Sequence, residues 1–503
     1  MKYRNTGFLE LIQASLIFCC IFLFSQSPAN GQQGKAYLEM KGPAPNVLIE
    51  INVLKNGINS GYIGEVDTYE WQPEVNRCLE IPMEDSLSYA RILVFDKTNI
   101  NTVHKSFSNF FYLLERGDSI QIEDLSGDIH FKGRGSEKWN CIDQVYRHED
   151  IGSRHITNKL IKEGRYRDAL LADKSKLDSL LAVQQLLLRQ FQPKLSKHVY
   201  DLIFVDLLAG HYKKWSFILS SKARDLAFVT AKKDLWKEYW AAFSFPVDDE
   251  KLLAQSYLYA DFIYDRIKFG LRLLRTDEKG QTYRRQSGDL LAVIEQMPKG
   301  ILRDKLYLIT IYQNLNNRTS EINKIDYLIA NIGNNRYRKQ IEALQRNKKG
   351  NPAFDFNLPD QYGNRHRLAD YQGKLLIMDF WFTGCHACRA LYEGFLKQIV
   401  TKYKNEEDVV FMSVNVDKKK EWWLKSVKEG IYCSPDEINL YTEGLGRYHD
   451  IIKYHFIIGF PTIVMISKDG RVITASPPRP SEITDPAVAA AEKAFIKLIE
   501  ENR

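Results

Sequence analysis

The run "KLLIMDFWFTGCHACRALYEGFLKQIV" (374–400) narrows the possible folds of this chain more than any other stretch. It begins as a continuous apolar run of the buried-strand type. It ends with Leu391, Phe395, Leu396, Ile399 and Val400 at helical spacing. Cys385 and Cys388 stand at the junction. A sulfur at the start of a helix meets unpaired N–H groups and the positive end of the dipole, which favour a thiolate. The thiolate is the reactive species, so Cys385 is predicted to attack. Cys388 lies one turn on, on the same side and deeper, placed to resolve a mixed disulfide. His386 lies between them, and a partly cationic imidazole there adds to the stabilisation. The same C-x-x-C also fits half a zinc site or a purely structural bridge. Zinc usually needs a second pair at similar spacing. Only Cys433 and scattered histidines remain as candidates, so no metal is expected.

The rest of the chain reads as layers. Residues 36–135 hold the strand-like runs 46–54, 91–95 and 110–122, punctuated by Gly, Asn, Asp and Pro, and predict a small β domain. Residues 136–345 turn helical, with Leu177, Leu180, Leu181, Leu187 and Leu188 on one face. No fixed repeat period is present. "QRNKKGNP" (345–352) reads as a linker. From 352 to 503 strand and helix alternate. Strands are predicted at 374–382, 408–416, 462–467 and 471–476, and helices after the cysteines, over 418–430 and over Asp485–Ile499. The last helix is expected to be capped by Asp485, with Pro486 at its first position.

Residues 1–31 read as a signal peptide: "MKYRN", an apolar stretch Leu11–Phe24 too short for a comfortable span, then a polar segment with small residues at Ser27, Ala29 and Gly31. Cys19 and Cys20 lie inside the apolar run without the small residue a lipoprotein site requires. Membrane association is therefore expected only through an uncleaved N-terminus. Export to a periplasm or cell envelope would leave five cysteines, which is no disulfide framework for 503 residues. The net charge of +7 is spread among interleaved acids, with no basic stripe bearing aromatics, so no nucleic acid partner is expected. Cys78, Cys141 and Cys433 read as buried small residues.

"DFWFTGCHAC", with the apolar strand before it and "GFPT" (459–462) after it, resembles the thioredoxin superfamily. The lead-in, with Asp360, Gly363, Leu368, Gly373 and Lys374, is similar to the exported TlpA/ResA-type thiol–disulfide oxidoreductases, within an AhpC/TSA-like group. The resemblance implies an α/β thioredoxin-like C-terminal domain, with a central mixed sheet flanked by helices. A small all-β domain and an all-α region precede it. It makes Cys385 the nucleophile and Cys388 the resolving cysteine. Asp379 becomes the buried acid that moves the proton of Cys388, its pKa raised by desolvation. Trp381 becomes the aromatic beside the site. Pro461 becomes a cis-proline that leaves the Phe460 backbone free to pair with an extended substrate. The redox-active disulfide is the only cofactor implied. Cysteine-containing exported proteins and a thiol electron donor are the implied partners.

Some positions depart from that pattern. Gly384 replaces a tryptophan, Leu391 replaces a glutamate, and His386-Ala387 fills the dipeptide. Two other functions compete. A peroxiredoxin-like peroxidase usually has Pro-x-x-x-Thr-x-x-Cys, whereas Thr383 stands two residues before Cys385 and no proline is in place. In the other, residues 36–345 bind a partner and the thioredoxin-like part is a scaffold.

Overall fold

The computed structural model describes residues 34–41, 47–54, 57, 66–73, 75–96, 110–123, 130–147, 155–221, 225–241, 243–274, 288–314, 325–435, 437–457, 459–480 and 483–503. The predicted signal peptide, with Cys19 and Cys20, lies outside them. The described residues form two compact units that part between Phe262 and Ile263.

The first unit opens with eight strands: β1 (Lys35–Met40), β2 (Val47–Leu54), β3 (Val66–Trp71), β4 (Cys78–Pro82), β5 (Leu87–Asp96), β6 (Tyr112–Glu115), β7 (Ser119–Ile122) and β8 (Phe131–Arg134). They make two four-stranded sheets, ordered β4-β1-β7-β8 and β3-β2-β5-β6. The run at 110–122 is two strands rather than one. Gly117 turns the chain at φ 84°, and the Asp118 carboxylate accepts the Glu115 N–H at 2.8 Å. Helices follow, among them Ser136–Tyr146, Tyr166–Phe191 and Lys197–Ser220. Cys141 is buried and Cys78 half-buried.

In the second unit, further helices precede a five-stranded sheet built from β11 (Leu375–Trp381), β12 (Val409–Asn415), β13 (Ile438–Tyr441), β14 (Thr462–Ile466) and β15 (Val472–Thr474). A short hairpin, β9 (Asn357–Pro359) and β10 (Arg365–Arg367), comes before it. The sheet order is β13-β12-β11-β14-β15. β11 runs parallel to β12 and antiparallel to β14, so the sheet is mixed and the domain is thioredoxin-like. Both faces of β11 are covered, which is why its sequence is almost continuously apolar. Leu376, Met378 and Phe380 face one core with Met412, Val414, Ile451 and Val464. Leu375 and Ile377 face the other, against Phe395, Ile399, Phe495 and Ile499 of two helical segments.

Several predicted elements are corrected. β13 was not anticipated: it is four residues long, with Asn439 fully buried in the middle, and its pairing with β12 supplies the stability its sequence lacks. The hairpin was missed as well. Asp360 accepts N–H groups of Tyr362 and Asn364 at 2.9 and 2.8 Å, and Gly363 takes φ 92°. The last helix runs from Asp485 to Glu500, so the N-cap position is Thr484, one residue before the expected Asp485, and the Thr484 side chain makes no capping hydrogen bond. The polar stretch 345–352 is no free linker. Its Asn347 amide donates to the His455 carbonyl at 2.6 Å, and the Gly350 N–H to the Val472 carbonyl at 2.8 Å.

Candidate active site

The C-terminal end of the central strand β11 carries Asp379 and Trp381, and the chain then turns at Thr383 and Gly384 into the helical segment His386–Leu391. Cys385 is the N-cap of that segment. Its Sγ accepts the Cys388 N–H at 3.1 Å and is joined to Cys388 as a disulfide, with Cα atoms 5.3 Å apart. The helical run continues through a π turn over Tyr392–Leu396 into Lys397–Tyr403. Cys388 lies deeper than Cys385, at 2% against 5% exposure. Gly384, His386 and Ala387 around them are exposed. When the bond is open, an anionic Cys385 sulfur would keep the N–H of the helix start as its donor.

The turn is anchored from below. The Asp417 carboxylate accepts the Thr383 N–H at 2.9 Å and the Thr383 hydroxyl at 2.6 Å, and the Asn415 amide donates to it at 3.0 Å. The Gly384 N–H donates to the Tyr432 hydroxyl at 2.9 Å. Gly384 has φ 89°, and an added Cβ would meet nothing within 4 Å. Its cost would be backbone strain alone. Gly384→Ala is expected to lower stability by about 1–2 kcal/mol, read as a shift of the urea midpoint at unchanged slope.

Asp379 sits on the face of β11 that carries Ile377 and Trp381. Its Oδ1 is enclosed and has no hydrogen-bond partner among the described residues. Burial pushes its pKa well above the usual carboxylate range. Glu437 adds to that rise, and Arg479 opposes it. An enclosed carboxyl oxygen without a hydrogen bond is costly and calls for a functional explanation. Pro461 is preceded by a cis peptide bond. The Arg479 guanidinium donates to its carbonyl at 2.8 Å.

One aromatic position differs from expectation. Trp381 is fully buried, donates its Nε1–H to the Ser413 hydroxyl at 2.6 Å, and stacks on Tyr432 at 4.8 Å. It buttresses the turn and offers no surface to a substrate, because its neighbours on β12 and Tyr432 cover it. The exposed aromatic is Phe382, 38% accessible, packed edge-on against Phe460 at 5.6 Å. His386 is exposed at the helix start. Cys433 is buried in the same cluster as Cys385, Cys388 and Trp381, and burial pushes its thiol up to about 12. Trp423 is buried and stacked on Tyr441.

The sequence reasoning missed Asp417, Tyr432, Glu437 and Arg479. One signal was present for Asp417, which follows the C-terminal end of a parallel strand, where α/β sites gather. Arg479 sits in "SPPRP", a stretch whose prolines hold it extended. Among the described residues no group of three or more His, Cys, Asp or Glu is arranged to hold a metal. No helix among them is long and apolar enough to cross a membrane.

A mixed sheet, a strand-to-helix C-x-x-C joined as a disulfide and a cis-proline just ahead of β14 define a thioredoxin-like thiol–disulfide oxidoreductase. Residues 348–492 match the Redoxin family. ResA from Geobacillus kaustophilus, a thiol–disulfide oxidoreductase, is 29% identical over 145 residues, covering 29% of this chain and 78% of that protein. ResA from Bacillus subtilis is 29% identical over 146 residues, covering 29% of this chain and 76% of that protein. The thioredoxin domain of a Bacteroides vulgatus thiol–disulfide oxidoreductase aligns at 25% identity and TM-score 0.24, over 29% of this chain and 96% of that one. Residues 348–492 are thus similar to thioredoxin-superfamily proteins of the TlpA/ResA type, and the resemblance lies in the C-terminal domain.

Proposed function

We propose that the chain is an exported oxidoreductase that exchanges disulfides with cysteine-containing proteins of the periplasm or cell envelope. The observation that carries the chemistry is Cys385 at a helix start, its Sγ accepting the Cys388 N–H, on the strand-to-helix turn that follows an Asp379 whose Oδ1 is enclosed without a hydrogen bond among the described residues. Export rests on the basic start and short apolar stretch of residues 1–31.

In the reducing direction, the Cys385 thiolate attacks one sulfur of a substrate disulfide. That S–S bond breaks, a mixed disulfide forms, and one substrate thiolate leaves. The Asp379 carboxylate takes the proton of Cys388, whose sulfur then attacks Cys385. The mixed disulfide breaks, the Cys385–Cys388 bond forms and the second substrate thiolate leaves. The proton passes on to a departing thiolate. The substrate gains two electrons and the pair loses two, which a thiol donor must restore. Phe460, beside the cis-proline, offers its backbone to an extended substrate segment, and Phe382, rather than Trp381, is the exposed aromatic beside the site. The redox-active disulfide is the cofactor.

The peroxidase reading is not favoured, because the Thr383 hydroxyl is engaged by Asp417 and Ser426. The full chain, reduced and freed of reductant, is expected to cleave insulin disulfides stoichiometrically, with two free thiols appearing per Cys385–Cys388 bond formed. No thiol release above a chain lacking both cysteines would refute the reading. Fractionation of cells producing the full chain checks export: all of it in the cytoplasm would overturn that part.

A further inference from the structure

We infer that Arg479 is a positioning residue of the exchange site: its guanidinium fixes the carbonyl of cis-Pro461 and places a positive charge facing the Asp379 carboxyl. The inference rests on the exchange reaction proposed above and adds a group that tunes its proton transfer.

Pro477, Pro478 and Pro480 surround Arg479, and each proline fixes its own φ while biasing the residue before it away from helix. The segment after β15 is thereby extended, and Arg479 has few backbone alternatives. Its side chain is partly buried and donates through Nη1 to the Pro461 carbonyl at 2.8 Å. Pro461 stands immediately before β14, whose Ile463 lies opposite Asp379 in the ladder. The residue holding the cis-proline turn is thus anchored two residues from the position that pairs with the acid.

The acid has few other means of carrying charge. Its Oδ1 is enclosed without a hydrogen bond among the described residues. The groups that interact with it electrostatically are the Glu437 carboxylate, the Tyr392 hydroxyl, the Cys433 thiol and Arg479. Glu437 disfavours a second negative charge there. Tyr392 is itself turned to Glu437, donating at 3.4 Å, and Cys433 is held neutral by burial. Among the described residues Arg479 is the cation of this set, and it acts to lower the Asp379 pKa that burial raises. A carboxyl left without this counter-charge would stay protonated to higher pH and would take the Cys388 proton less readily. One side chain therefore couples the edge that receives substrate to the group that moves the proton.

A guanidinium and an ammonium separate the two effects. Lys keeps the charge but lacks the planar fork, and Gln removes the charge. In the full chain, the Asp379 carboxyl band is followed by difference infrared titration of the reduced protein, assigned by its loss in Asp379→Asn. Insulin reduction is measured across pH in parallel. Arg479→Gln is expected to move both midpoints to higher pH and to lower kcat/KM at pH 7 about tenfold. Arg479→Lys is expected to keep both midpoints while raising KM. An unmoved infrared midpoint in Arg479→Gln overturns the inference, as does an equal shift in both variants. Should Arg479→Gln not fold, an unchanged KM in Arg479→Lys overturns it instead. The infrared titration uses no substrate. If the wild type fails to reduce insulin, the exchange reading falls on that result, while the infrared midpoints still decide the role of the charge.

Discussion

Cys388→Ser is expected to stop turnover and to leave Cys385 joined to its substrate by a disulfide that dithiothreitol releases. The expectation follows from the order in which the two sulfurs act. Cys385 caps the helical segment, is the more accessible of the pair and has the Cys388 N–H as a donor for its sulfur. Attack on a substrate disulfide therefore still proceeds in the variant. A serine hydroxyl at 388 cannot displace a disulfide sulfur, so the mixed disulfide persists. The trapped species appears as a mass shift on non-reducing gels, and it is absent when Cys385 is also replaced. Cys385→Ser alone is expected to reduce insulin cleavage to background without any trapped partner. Trapping through Cys388 in that single variant would reverse the assignment of the two roles.

Asp379→Asn is expected to slow insulin reduction by about 10²-fold or more at neutral pH while making the protein more stable there. The rate falls because an amide cannot take the Cys388 proton. In the wild type that step gains rate with rising pH as Asp379 ionises, and this limb of the profile is expected to vanish in the variant. Stability moves the other way. The folded carboxyl binds its proton more tightly than the unfolded one, since burial raises its pKa. Its favourable contribution is complete below the ordinary carboxylate value of about 4. It is lost as pH climbs through the raised folded value. The wild type therefore bears a desolvated charge at high pH that Asp379→Asn lacks. The difference in Tm, variant minus wild type, should widen from pH 4 to pH 8. A constant difference would mean that the carboxyl is not the group being strained by burial.

Much of the C-terminal domain was legible because its signals are local or periodic. A strand buried on both faces must be apolar throughout, and the helix after the cysteines must repeat its apolar face every three or four residues. Those two constraints placed β11 and the cysteine pair correctly. β13 and the β9–β10 hairpin left no such trace. Ile438–Tyr441 is short and carries Asn439 inward, so only its ladder with β12 makes it a strand. The hairpin depends on Asp360 and Gly363, whose turn chemistry can be read once the partner strands are known. Trp381 shows the opposite error. Its neighbourhood to the cysteines was right, but its burial under Tyr432 is a tertiary fact, and the accessible ring belongs to Phe382.

What the sequence determined by itself was a pair of cysteines at a strand-to-helix junction, with an acid six positions upstream and a proline ahead of a later strand. Backbone sterics, the helix dipole and the two-residue alternation of strands act over a few residues, so they can be read along the chain. Only the tertiary structure decided what surrounds Asp379 and the turn. Asp417, Tyr432, Glu437 and Arg479 converge there from separate segments. Coulomb attraction and hydrogen bonding depend on distance in space, which no spacing in the sequence reports.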